Sequence, residues 1–121
     1  MKSYTDLEQS KKLAEILPIE SADMCYLKRE INDTFIETPI IKPIGGVEKS
    51  LCCWSLTALL SVLPKNLNIG RPSLESNYKG YYWIKYYDEF MKPNNYKTKC
   101  FNNPVDACYE MIIKLNELKL L

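Results

Sequence analysis

Lys79-Gly80-Tyr81-Tyr82-Trp83-Ile84-Lys85-Tyr86-Tyr87 is the stretch on which the fold turns. Aromatic and β-branched side chains dominate it, which suits a pleated, half-buried surface and predicts a strand over 80–87. Both alternating faces are rich in aromatics, so the pattern alone does not say which face is wet. Lys92 to Asn95 carries turn residues, and Tyr96-Lys97-Thr98-Lys99-Cys100-Phe101 can return as an antiparallel partner. Directly afterwards the period changes from two to 3.6. Asn103 stands as an N-cap, Pro104 at the first helical position, and Asp106 in the first turn. Val105, Cys108, Met111, Ile112, Leu115 and Leu118 then form an apolar stripe, with Asp106, Glu110, Lys114 and Glu117 on the wet side. A strand pair followed by an amphipathic helix is the signature of an α+β chain.

Upstream, a first helix is expected from Thr5 to Leu17, opened by a Thr5/Glu8 capping box and closed by Pro18. Met24-Cys25-Tyr26-Leu27 reads as a strand and Thr34–Thr38 as another, with Ile31-Asn32-Asp33 turning between them. Pro39 to Gly46 holds two prolines and two glycines and reads as a loop. Ser50 to Leu63 reads as a second helix stopped by Pro64. Its run from Leu51 carries no charge and at about thirteen residues is too short to cross a bilayer, so burial in the core is expected. The densest stripe is Cys52, Leu56, Leu59, Leu60 and Leu63, with Trp54 opposite. Lys65 to Asn77 reads mostly as loop. The expected fold is a single α+β domain over 1–121, with three helices packed on a small, mainly antiparallel sheet of three or four strands.

Composition bounds the function. The 121 residues hold 46% hydrophobic and 26% charged side chains, as a globular chain does. Sixteen Lys+Arg against fifteen Asp+Glu give +1, which removes the simplest case for a polyanion trap. There is no histidine, so Ser-His-Asp and Cys-His catalysis and His-ligated metals are excluded within one chain. The five cysteines, Cys25, Cys52, Cys53, Cys100 and Cys108, lack the paired C-x2–4-C spacing of a zinc site. Their odd number, with no apolar leader at the start, predicts reduced thiols in the cytoplasm, mostly structural and buried. No cofactor or metal is expected, and no hydrolase, kinase or transferase signature occurs.

Chemistry gathers around the aromatic strand. Tyr81, Trp83 and Lys85 would offer stacking rings and a cation on one face. Arg71, between Gly70 and Pro72, is placed to grip a phosphate or carboxylate. These four residues are the expected ligand-binding set, and no residue is assigned a catalytic role. Lys79 to Tyr86 resembles the RNP1 signature of RRM domains, which implies base stacking by Tyr81 and Trp83. The sequence departs from that signature at Tyr82, where a small residue belongs. It also places a strand before the last helix, where an RRM has the helix first.

The segments Cys53–Pro64 and Asn103–Met111 resemble those of small proteins of gut anaerobic bacteria and of their prophages and phages, over most of the chain. The resemblance implies a mobile-element setting and carries no activity with it. The expectation is a non-enzymatic binding protein that antagonises a host defence system by binding a host protein or a signalling nucleotide. The alternative is a single-stranded nucleic-acid or nucleotide module using the same strand. A homodimer is plausible from the excess of aromatic surface, and no membrane contact is expected.

Overall fold

The computed structural model describes residues 1–43, 49–66 and 68–121. Helix α1 spans Leu7–Ile16, and its cap lies one residue beyond the expected one. The Asp6 carboxylate accepts the Gln9 N–H at 2.8 Å, and the Gln9 side-chain oxygen accepts the Asp6 N–H at 3.1 Å. Thr5 is not free to cap. It is buried, its hydroxyl lies 2.8 Å from that of Ser10, and it accepts the Trp54 N–H at 3.1 Å.

A first antiparallel sheet has β1 (Met24–Leu27) in the centre, flanked by β2 (Ile40–Ile41) and β3 (Ser50–Cys53). The turn at 31–33 forms with Asp33 at φ 57°, but the Thr34–Thr38 return is a bridge at Phe35 rather than a strand. The edge is taken instead by Ile40 and Ile41, inside the expected loop, where they lie opposite Cys25 and Met24. Ile44, Gly45 and Gly46, the end of that loop, lie outside the described residues.

The uncharged run from Ser50 is divided, not one helix. Its first four residues are β3, and α2 covers only Leu56–Val62. Ser55 makes the break. Its side chain accepts the Ala58 N–H at 3.2 Å as the N-cap, while its own N–H and hydroxyl donate to the Asp23 carboxylate. Without charges the run had no wet face to reveal where one period ended and the other began. Trp54, expected opposite the buried stripe, is fully buried and donates its indole N–H to Ser21 at 2.9 Å.

A second antiparallel sheet, ordered β4-β5-β6, consists of β4 (Arg71–Ser76), β5 (Tyr82–Tyr87) and β6 (Pro93–Lys97). β4 replaces the loop expected over Lys65 to Asn77. Pro72 and the polar serines disguised it, yet six residues pair with β5 from Arg71↔Tyr87 to Ser76↔Tyr82. The turn into β6 falls at 88–92, ahead of the expected position, because the Asp88 carboxylate accepts the N–H groups of Phe90 and Lys92. Phe101 extends the pairing by bridging Tyr82.

Helix α3, Pro104–Glu117, follows its expected cap, with Asn103 accepting the Asp106 N–H at 2.9 Å. Val105, Cys108, Met111, Ile112 and Leu115 are buried as expected, whereas Leu118 is half exposed where the helix ends. One cluster joins Leu13, Trp54, Leu59, Ile84, Tyr86, Met111 and Leu115, so α1, α2, α3 and β5 close over a common core. The chain is α+β; among the described residues there are three α-helices, and the strands form two three-stranded antiparallel sheets rather than one.

Candidate functional site

The two faces of β5 divide cleanly. Ile84 and Tyr86 are fully buried, Tyr82 packs against the core, and the Tyr86 hydroxyl donates to the Pro64 carbonyl at 2.9 Å. Strand alternation therefore turns Trp83, Lys85 and Tyr87 outward, and all three are half-buried. The register adds their neighbours. Glu75 lies opposite Trp83, Ser73 opposite Lys85 and Arg71 opposite Tyr87, while Lys97 of β6 lies opposite Lys85. Residues directly opposite in a ladder share a face, so Arg71, Trp83 and Lys85 lie on one face of the sheet, with Lys97 beside Lys85. Tyr81 precedes β5 and is 45% exposed. The Asn77 side chain fixes its backbone by accepting its N–H at 3.2 Å.

Glu75 organises the face. One carboxylate oxygen accepts the Trp83 indole N–H at 2.7 Å, and the other accepts the Tyr87 hydroxyl at 2.6 Å. The hydrogen bond to Glu75 is the main reason that Tyr87 titrates above the ordinary tyrosine range, with burial and the carboxylate charge adding to it. Cations rest over both rings, the Lys97 ammonium 6.0 Å from the Trp83 centroid and the Lys85 ammonium 5.7 Å from that of Tyr87. Two ammonium groups thus lie over two rings whose polar edges one carboxylate holds, with Arg71 on the same face opposite Tyr87. Neither Glu75 nor Lys97 stands out in the sequence as a site residue, because Glu75 sits in a stretch that reads as loop. The alternation in Arg71-Pro72-Ser73-Leu74-Glu75-Ser76 is the signal that marks both the strand and the outward position of Glu75.

Arg71 also borders a concavity of about 890 Å³ at the end of the sheet, which Lys65, Asp88, Glu89, Phe90 and Met91 help to line. Phe90 and Met91 are 73% and 76% exposed on that turn. A second concavity of about 610 Å³, bordered by Lys2, Tyr4, Asp6, Tyr26 and Glu37, mixes both signs of charge.

The strongly perturbed thiols and phenols lie elsewhere. Burial pushes Cys53 and Cys108 up, the latter to about 12, and raises Tyr26 and Tyr86 well above the usual range. Each is held neutral at pH 7, the opposite of an activated nucleophile. Cys25, Cys53 and Cys108 are buried as expected, while Cys52 is half-buried and Cys100 exposed. Among the described residues, no three Cys, Asp or Glu side chains gather to hold a metal ion, and no helix is long and apolar enough to cross a membrane. No family model, curated protein or solved structure matches the chain.

Proposed function

We propose that this chain is a non-enzymatic binding protein that captures a nucleotide on the outer face of the second sheet. The observation that carries this reading is the gathering of Arg71, Lys85 and Lys97 with the Trp83 and Tyr87 rings on one accessible face. Phosphate oxygens would draw the two lysines off the rings they rest on, pairing with them and with Arg71. That movement opens the ring faces for a base to stack. Glu75 keeps both ring edges fixed beforehand, which lowers the ordering cost of binding. The carboxylate also gives the face a direction, with the anion at the Arg71 end and the base at the Glu75 end. The two residues are four apart along β4, about 13 Å, long enough for a nucleoside diphosphate to lie along the strand. In the mobile-element setting that the resemblance implies, such a protein acts in the cytoplasm by sequestering a signalling nucleotide of a host defence system.

Trp54 is sealed in the core, so quenching of the accessible tryptophan reports Trp83. Titration with mononucleotides, cyclic dinucleotides and a short oligothymidylate should give a saturable change for a nucleotide. Lys97→Ala or Arg71→Ala should weaken that binding roughly tenfold, the equivalent of one charge-assisted hydrogen bond. Stronger binding to the oligonucleotide, falling steeply with salt, would favour the single-stranded nucleic-acid alternative. No saturable change with any of them at about 1 mM would remove the proposal. The exposed Phe90 and Met91 beside Arg71 favour a second reading, contact with a host protein or a second copy of the chain. Loss of a dimer or of a captured partner in Phe90→Asp would support it.

A further inference from the structure

The first sheet places two cysteines directly opposite each other, Cys25 on β1 and Cys52 on β3. The ladder also fixes the kind of pair they make. The Asp23 carbonyl accepts the Lys42 N–H at 2.9 Å, and the Leu27 carbonyl accepts the Ile36 N–H at 2.8 Å, both on the side of β1 away from β3. Backbone groups alternate in direction along a strand, so Cys25, between them, also turns its own away from β3. On β3 the Trp54 carbonyl accepts the Thr5 N–H at 3.0 Å on the side away from β1, and Cys52, two residues earlier, shares that direction. Cys25 and Cys52 are therefore a non-hydrogen-bonded pair, the closer of the two kinds. Their Cα atoms are about 4.5 Å apart in such a pair, within the range a disulfide spans.

The remaining thiols are not alternatives. Cys53 points to the opposite face, where its sulfur is sealed against Thr5 at 3.6 Å. Cys108 is buried in the core cluster. Within the pair the exposures differ: Cys52 is half-buried at the edge of the core cluster, whereas Cys25 is 1% exposed.

We propose that Cys25 and Cys52 are a reversible modification site, oxidised to a cross-strand disulfide by a small-molecule disulfide of the glutathione class. The Cys52 thiolate attacks one sulfur of the reagent, whose S–S bond breaks and releases one thiolate, which takes up a proton. Cys25 then loses its proton to water and attacks the Cys52 sulfur, expelling the second small thiolate, which is protonated in turn. Two protein thiols are oxidised, and one small disulfide is reduced to two thiols. The bridge pins β1 to β3 and closes the chain between them into a loop. It rests on the first sheet and is independent of the nucleotide reading.

The test uses the full chain under native conditions with oxidised glutathione, followed by alkylation, intact mass and peptide mapping. The expected product is lighter than the reduced protein by about 2 Da before alkylation, apart from any glutathione added at exposed Cys100, with a peptide joining Cys25 to Cys52. Its Tm should exceed that of the reduced form by about 5–10 °C, and a reductant should reverse the change. Cys53→Ala should still form the bridge. Cys25→Ser should stop at a glutathione adduct on Cys52; should that variant not fold, mapping of the wild-type protein decides alone. A lasting adduct on Cys52 in the wild type would overturn the proposal. So would a link to Cys53 or Cys100, modification of Cys100 alone, or a bridge that forms only in denaturant.

Discussion

Replacing Gly70 by alanine would drive a Cβ into the Tyr87 carbonyl oxygen, with the carbonyl carbon 2.8 Å away, where β4 begins against the end of β5. A carbon–oxygen contact needs about 3.3 Å, so the two backbones would have to part by more than an ångström. They have little freedom to do so. Gly70 exchanges hydrogen bonds with Asn66, and the next residue, Arg71, is already paired with Tyr87 in the ladder. Gly70 also stands at φ +88°, which costs an alanine about 1–2 kcal/mol before any clash. Overpacking adds about 1–3 kcal/mol, for a total loss of about 2–5 kcal/mol. Gly80 is the matched control. It has nearly the same φ, +84°, but an added Cβ would meet nothing within 4 Å. Gly80→Ala should therefore lose only the conformational part, and the two variants should melt about 4–12 °C apart. Urea unfolding followed by tryptophan fluorescence measures both, with an unchanged slope confirming that only stability moved. If the two variants agreed within about 0.5 kcal/mol, the close approach of β4 and β5 at Gly70 would be wrong, and with it the placement of Arg71.

Asp106 carries a pH dependence. Burial, the strongest influence, pushes its carboxyl up, but hydrogen bonds from Lys2, Asn103 and Gln9 and the Lys2 charge outweigh it and hold it below the ordinary value. A depressed carboxylate stabilises the fold above its unfolded pKa, near 3.9, and that contribution is lost as pH falls through the folded value. Asp106→Asn should therefore lose about 1 kcal/mol at neutral pH and flatten the acid limb of stability measured from pH 6 to 2. Parallel acid limbs would refute the assignment. For Glu75→Gln, the expected outcome is a Tyr87 hydroxyl that titrates closer to its ordinary range, seen as an earlier phase in the ultraviolet titration of the tyrosines. An unchanged titration would mean that Glu75 does not hold Tyr87.

The elements legible in the sequence are those whose signals are local. Asn103-Pro104 and the stripe from Val105 to Leu115 specify α3 without help from the rest of the chain, and the aromatic run specifies β5. The elements that escape depend on partners distant in sequence. Arg71–Ser76 contains a proline and two serines and becomes a strand because β5 offers it six partners in register. Ser50–Cys53 lies in a run that suits a buried helix equally well until β1 pairs with it. The candidate site shows the same division. Trp83, Lys85 and Arg71 stand out by type, but only the register reveals that they share a face and that Glu75 and Lys97 belong with them.

That face holds a pairing that does not favour the sheet. Lys85 and Lys97 stand directly opposite each other, and like charges in that position oppose pairing. The pairing is irregular just beyond them, where a step of two positions along β5, Lys85 to Tyr87, corresponds to a step of four along β6, Lys97 to Pro93. Each lysine recovers part of the loss by lying over a ring, which is worth about 0.5–1 kcal/mol at an exposed site and needs no second cation nearby. A sheet serving only to cover a core would gain more from a threonine or a glutamate at either position. An anion bridging the two ammonium groups would turn their repulsion into attraction while leaving every core contact of Ile84 and Tyr86 in place. The inner face of β5 thus supports the fold, and its outer face carries two like charges in register, the feature that the proposed phosphate would meet.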